Sequence, residues 1–514
     1  MSEAATSEAR DKANLWPITI SIMLATVMNS LDTTIANVAL PHIQGSVSAS
    51  ADQIVWVLTS YIVAAAIMTP LSGWLADRIG RKKMFLISIG GFTIASMLCG
   101  IATSLPELVI FRLLQGIAGA SLIPLSQAVL LDIWPKEQHG QAMAIWGAGA
   151  ILGPILGPAL GGYLTENFSW RWCFYINLPI GILALVGVWL FISGDRTVRI
   201  KRFDFLGFGM LSLFVAAMQL MLDRGPGQDW FSSIEITTYA IVAAITAWIF
   251  IAHTLTAETP FFDRRLARDR NFVTASIFGF FVGILLFSTM ALLPPMLQVL
   301  MGYPVLTSGL VTMPRGLGSF IAMFFVGRLI GKVDTRAILL FGLALNAVAL
   351  YQMMHFDLSM TARAVVVSGI IQGFGIGFLF VPLSTLAFAT IPPVLRPEGS
   401  SLYTLVRNLG SAVGISIMQA LVVSNTEVMH SSMVGRVIPS DPTFRAAIPA
   451  GLNPATTTGA MALNNEITRQ SSMVAYVNDF HLMFYITLVC IPMLLLLRTP
   501  KRQAGGEPVH VAVD

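Results

Sequence analysis

Three ionisable side chains stand inside long apolar runs: Asp32 in MNSLDTTIANVALP, Arg112 in FRLLQGIAGA and Arg315 in MPRGLG. A charge held in hydrocarbon is expensive, about 2.5–3.5 kcal/mol on insertion scales. Such a charge needs a reason to be there, and three are available. It can face water in a cavity, take up a proton, or meet an opposite charge. Asp32 is the proton-binding candidate. Its proton affinity depends on burial weighed against a nearby cation, and Arg112 is the available cation, entering its own run from the same side of the membrane. A static Asp32–Arg112 pair that only fixes helix packing is the competing expectation. Arg315, if it faces a cavity, favours anionic or weakly acidic amphiphiles. It could equally neutralise a carboxylate or bind a carbonyl oxygen. Tyr61, Asn29, Gln115, Gln127 and Gln372 are the plausible polar lining of such a cavity.

The elements that must position these groups follow from composition. The chain has 514 residues, 55% hydrophobic and 11% charged, with a mean hydropathy of +0.74. Soluble domains carry about 25% charged residues, so a polytopic membrane protein is expected. The net charge of +4 does not indicate nucleic acid, because the basic residues lie between spans rather than in one patch. Cys99, Cys173 and Cys490 each sit in an apolar run, with neither disulfide nor metal spacing, and are expected as small apolar packers. The N-terminal stretch MSEAATSEARDKANLW lacks the features of a cleaved signal, so the first span reads as retained.

A helix needs about 20 residues to cross hydrocarbon. Fourteen runs qualify: 16–40, 54–75, 83–102, 106–130, 139–164, 171–193, 203–222, 233–253, 271–295, 306–330, 335–355, 362–387, 400–424 and 479–498. Of the 31 Lys and Arg, 22 fall on the side of the N-terminus, 6 on the opposite side and 3 within spans or at their ends. The bias predicts that both termini are cytoplasmic. Residues 425–478 read as a long, mostly polar outer loop containing Pro439, Pro442, Pro449 and Pro454, with GAMALNNEITRQSSMVAYV as a possible short surface helix.

The chain also repeats itself. GWLADRIGRKK from Gly73 matches GRLIGKVDTRA from Gly327 at an offset of 254 residues, and the same offset carries Pro41 onto Pro295 and Gln44 onto Gln298. LLQGIAGASLIPLS resembles IIQGFGIGFLFVPLS with a small slip. The expected organisation is a tail (1–15), a six-helix half (16–193), a linker with two inserted spans (194–270), a second six-helix half (271–498, including the loop 425–478) and a tail (499–514). Two similar halves with a site at their interface is a transporter design. Asp32 has Leu286 as its counterpart, and Arg315 has Tyr61, so the charges are not shared between the copies.

In GAGAILGPILGPALGG, Gly149, Gly153, Gly157 and Gly161 recur every four residues, with Gly162 beside the last. They leave one helix face without side chains, a groove where another backbone can come close. Pro154 and Pro158 favour a bend. Tight packing alone is the simpler use of such a face; a sliding or sealing role is the functional one. GWLADRIGRKK lies at a basic helix end. Gly73 and Gly80 permit close approach and a sharp turn. Asp77 could face the positive end of another helix, a latch holding that face shut. Arg78, Arg81 and the lysines after it are in part topology signals. The second copy has Gly331 where Asp77 stands, so its latch is expected to be weaker.

Together LDTTIANVALP, GWLADRIGRKK, FRLLQGIAGA and GAGAILGPILGPALGG, in that order on the first five spans, resemble the major facilitator superfamily, and within it the fourteen-span drug–proton antiporters of the EmrB/QacA type. WRWCFYINLPIG, MPRGLG and LVRNLGSAVGISI are similar to that group as well. The resemblance implies an all-α major facilitator fold of two six-helix halves plus two inserted helices. It implies a proton-coupled exporter of amphipathic, hydrophobic or weakly acidic compounds, in a bacterial inner membrane, with no cofactor or metal. An exporter of one metabolite, lipid or siderophore is the alternative. The resemblance places Arg112, followed by Gln115 and Gly116, in the proton-linked motif, beside which Asp32 is the proton-coupling candidate, and the glycine–proline run in the antiporter motif. Relatives in double-membrane bacteria often work with a periplasmic adaptor and an outer-membrane channel, which loop 425–478 would face, whereas those in single-membrane bacteria act alone. Neither a nucleophile–base pair, a His cluster nor a GxxxxGK[ST] loop is present, so an enzyme or an ATP-driven pump is not expected.

Overall fold

The computed structural model describes residues 15–54, 56–193, 202–438 and 448–497. The expected tails 1–15 and 499–514 lie outside them, apart from Leu15, as do residues 194–201 at the start of the linker 194–270 and residues 439–447 of the outer stretch. Among the described residues, fourteen helical stretches are long and apolar enough to cross a membrane. With no water to bond backbone groups, each run satisfies its own as helix, and no strand ladder forms among the described residues.

The long helices are α1 (Leu15–Ser46), α2 (Trp56–Ile79), α3 (Arg81–Ile101), α4 (Leu105–Gly119), α5 (Leu122–Ile133), α6 (His139–Asn167) and α7 (Asn177–Phe191) in the first half. The insert is α8 (Phe205–Arg224) and α9 (Ile234–Thr256). The second half is α10 (Arg270–Pro295), α11 (Val305–Leu329), α12 (Thr335–Met353), α13 (Ala362–Ala389), α14 (Arg396–Val434) and α15 (Thr457–Met493). The fourth span is broken at Ala120–Ser121, so α4 and α5 share one crossing.

The halves meet along α6 against α11, α2 and α5 against α14, and α6 against α13. α6 is a spine with two faces. On one, Gly149, Gly153, Gly157 and Gly161 take Met23, Ser30, Thr34 and Val38 of α1, running parallel, and Thr34 Oγ1 donates to Gly153 O at 3.0 Å. On the other, Gly140, Gly147, Ile155 and Pro158 meet Ile330, Met323, Gly316 and Gly309 along α11. Despite Pro154 and Pro158, α6 is one uninterrupted helix. Gly162 is not part of the groove: a Cβ there would meet nothing within 4 Å.

The insert covers a seam. α8 packs on both α2 and α14. Asp223 bonds Thr59 of α2, and Ser416 of α14 donates to Leu222 O. α9 packs on α8 and is mostly surface.

The stretch 425–478 is not mainly loop. α14 runs 39 residues and α15 runs 37, lengths of roughly 55–58 Å at 1.5 Å per residue against a hydrocarbon core of about 30 Å. The excess forms a projecting helical pair, joined by His430 Nε2 and Asn464 Oδ1 at 3.1 Å and by Ser471 Oγ donating to Met433 Sδ at 3.4 Å. GAMALNNEITRQSSMVAYV is the first half of α15 rather than a separate surface helix. Its polar residues are a poor guide because a helix outside the bilayer has no need of apolar side chains.

Candidate functional site

Five helices build the site around Asp32. α1 carries Asp32 itself, 1% exposed, some 25 Å along the helix from Leu15. Arg112 of α4 reaches it with Nη1 to Oδ2 at 2.7 Å. Gln115, one turn on, donates Nε2 to Oδ1 at 2.8 Å and accepts from Arg112 Nη1 at 2.8 Å, closing a ring that fixes the amide's orientation. Asn177, at the start of α7, donates to Oδ1 at 2.9 Å and to Ser96 Oγ of α3 at 2.9 Å. From α2, Val57 O accepts Arg112 Nε at 3.2 Å and the Tyr61 ring lies 4.3 Å below the guanidinium carbon. The Phe174 ring is 5.7 Å from the same carbon. Asp32 thus accepts three hydrogen bonds, from Arg112, Gln115 and Asn177, and Arg112 is held in turn by Val57 O and Gln115 Oε1.

Arg112 and Asp32 are thus brought together, both buried inside the first half. Asn29 donates to Tyr61 Oη at 3.2 Å and to Gly119 O at 3.4 Å. Tyr61, Asn29 and Gln115 are joined to this network in the state described. Gln372 donates to Thr289 Oγ1 at 3.2 Å within the second half. Arg315, 7% exposed, takes the carbonyl option: Nη2 donates to Leu286 O at 3.0 Å. Leu286 is the repeat counterpart of Asp32, so where the first half offers the arginine a carboxylate, the second offers a backbone oxygen. Only Gln127 of the expected lining crosses between halves, accepting from Ser400 Oγ at 2.8 Å.

The basic end of the bundle is sealed across the halves. Gly73 lies against the first turn of α14, where a Cβ would come within 2.9 Å of Glu398 Cα. Ser72 and Ser401 share a hydrogen bond of 2.9 Å. Arg396, at the head of α14, donates to Leu131 O at 2.8 Å and to Asp132 Oδ1 at 2.9 Å. Asp132 also pairs with Arg81, so one carboxylate joins both halves. Gly80 has φ 90, as the turn into α3 requires, and Gly331 has φ 85 in the second copy. Asp77 lines a small pocket with Trp74, Phe262 and Glu398, and Arg78 stacks over Trp74 at 5.0 Å.

Some groups escaped the sequence. Asp132, Asn177 and Ser96 give no signal alone. Arg407 does, as a cation in mid-span. It is buried where the halves meet, its guanidinium carbon 5.9 Å from the Trp146 ring of α6 and 5.4 Å from Phe380 of α13, rings that stack at 5.5 Å. Asp479 opens the last expected span, at its boundary, yet it is 1% exposed within α15.

A helical bundle of two repeated halves, with a buried ion pair in one and a closed seam between them, defines a secondary-transporter class. The family model for the Major Facilitator Superfamily matches residues 22–415, and the chain belongs to that family. It is 35% identical over 499 residues to the multidrug export protein EmrB of Escherichia coli K12, covering 96% of this chain and 97% of that protein. It is 34% identical over 497 residues to the fatty acid resistance protein FarB of Neisseria gonorrhoeae, covering 95% and 97%. Among solved structures, the human organic anion transporter MFSD10 aligns with a TM-score of 0.58 at 16% identity, covering 92% of this chain and 99% of that one. The proton:xylose symporter XylE aligns at 0.59 and 13%, covering 94% and 97%. Both share the fold.

Proposed function

We propose that this chain is a proton-coupled exporter of amphipathic, hydrophobic or weakly acidic toxic compounds, working by alternating access in a bacterial inner membrane with both termini cytoplasmic. The observation that carries it is the seating of Asp32. Its carboxylate is clamped by Arg112, Gln115 and Asn177, and its helix lies in the glycine groove of α6, whose opposite face packs on the second half. Proton arrival would neutralise Asp32, release Arg112 and loosen α1 in that groove. α6 then passes the change to the seam. The sealed basic end makes this the state closed to the cytoplasm. Opening it requires breaking Arg396–Asp132 and the serine contacts.

Relatives named for multidrug export and fatty acid resistance support the substrate class. Arg407, beside the stacked rings of Trp146 and Phe380, offers an acid a buried cation at the meeting of the halves. The projecting ends of α14 and α15, opposite the basic end, suit contact with a periplasmic adaptor that continues to an outer-membrane channel. The sequence division at 16–193, 194–270 and 271–498 then separates two moving bodies from the insert that covers their seam.

Proteoliposomes under an imposed pH gradient test this, with a panel of acidic, neutral and cationic amphiphiles. Wild type should accumulate compounds uphill and Asp32→Asn should not, while folding normally by size exclusion. Full uphill transport by Asp32→Asn removes the proposal. Transport of a single panel member would favour a one-substrate exporter instead.

A further inference from the structure

Asp32 is surrounded by donors; Asp479 is surrounded by none. Asp479 is 1% exposed, and neither of its oxygens has a hydrogen-bond partner. It lies 14 residues from the end of α15 at Met493, about 21 Å inward, and so within the hydrocarbon thickness. Its neighbours on the buried face of the helix, Tyr476, Phe480 and Met483, belong to one apolar cluster with Leu293 and Met296 of the second half. A carboxylate ion in those surroundings has lost its water and gained nothing, whereas the neutral acid has little to lose.

The facing groups offer no counter-charge. On α10 the titratable residue is Arg270, at the opposite end and bonded to Leu496 O. The π turn after α10, Met296–Leu300, has none. α12 brings Tyr351, packed on His355, and Arg336 at the opposite end, bonded to Leu497 O; beyond it Asp357, which accepts from Ser359, lines a pocket with Val477 of α15. α14 brings Tyr403 against Phe388, Arg407 over its two rings, and Glu427 and His430 in the projecting part. α15 itself has Tyr476 one turn away, His481 bonded to Val477 O, and Arg469 paired with Glu466 further out. Arg315 is on α11 and engaged with Leu286 O.

We propose that Asp479 is a second proton-binding carboxylate, loaded in the conformation described here, in which Asp32 accepts from Arg112, Gln115 and Asn177. The second half, where Leu286 stands at the counterpart of Asp32, has a buried carboxylate of its own on its last helix. The neighbouring backbone is suited to let water in. α10 ends in Pro294–Pro295, which have no N–H to donate, and continues as the π turn on which α15 packs. When that contact parts, Asp479 gives its proton to water as H⁺ and remains as carboxylate. When the contact closes, it must take one up again. The two acids would then hold protons in opposite phases of one cycle.

The proposal rests on proton-coupled transport, but its first test does not. Infrared spectra of the full chain in lipid nanodiscs at pH 7, without substrate, should contain the C=O band of a protonated carboxyl. Asp479→Asn should remove it, and Asp32→Asn should leave it. A band that survives in Asp479→Asn, or is missing from wild type, overturns the proposal. Asp479→Leu, which suits the apolar surroundings, serves if the asparagine variant does not fold. The second test is the reversal potential in proteoliposomes. The number of protons exchanged per substrate should fall by one in the Asp479 variant; an unchanged number also overturns the proposal. Should Asp32→Asn keep full coupling while Asp479→Asn loses both band and proton, the role given to Asp32 fails and that of Asp479 stands.

Discussion

The two halves repeat one plan with different electrostatics. In the first, carboxylate and guanidinium are in contact, on α1 and α4, and two amides complete the set. In the second, the guanidinium is on α11, bonded to a carbonyl, and the carboxylate is on α15 with no partner. A repeat keeps the packing of helices because packing is what folds each half. It does not keep charge, and the differences are where one half can respond to a proton in a way the other cannot.

The largest expected effect of breaking that comparison is at Arg112. Arg112→Ala leaves Asp32 buried as an anion without its cation, at about 3–5 kcal/mol. Thermal unfolding in detergent should show a large loss, and Asp32→Asn placed on top should recover part of it. A stability equal to wild type would mean the pair is not held as described. Gly153→Val drives a side chain into Ser30 of α1, an overpacking cost of about 1–3 kcal/mol. Transport should fall with it, whereas Gly162→Ala should change neither.

At the seam, Arg396→Ala removes a charged hydrogen bond to Asp132, worth roughly 1–3 kcal/mol. The sealed state should lose population, read as increased labelling of a cysteine placed at Ser401. Unchanged labelling would mean the apolar contacts of α6 with α11 hold the seal alone. The smallest effect is at Arg315. Because its guanidinium is spent on Leu286 O, Arg315→Ala should lower transport of acidic and cationic compounds alike. A selective loss of acids would instead put Arg315 in the substrate path in another state.

Much of this is open to inspection in the primary structure. Span number, the two copies and the glycine groove follow from hydropathy and spacing. These are local properties, since a helix in lipid must satisfy its own backbone. The expected neighbours Asp32 and Arg112 do meet. The length of α14 and α15 is hidden because hydropathy reports only the part of a helix that lipid touches. Asp479 is hidden for the same reason, lying where a polar stretch gives way to an apolar one.

What the sequence by itself determined is therefore the membrane-spanning fold, with its doubled plan and an acid in the first crossing. Each depends on residues near one another in the chain. Only the tertiary structure decided that Asn177 and Gln115 complete the clamp, that Arg315 turns to Leu286, that Asp132 ties the halves together and that Asp479 has nothing to bind. Burial and partners are set by helices dozens to hundreds of residues apart, and the state of a carboxyl group depends on what surrounds it in space.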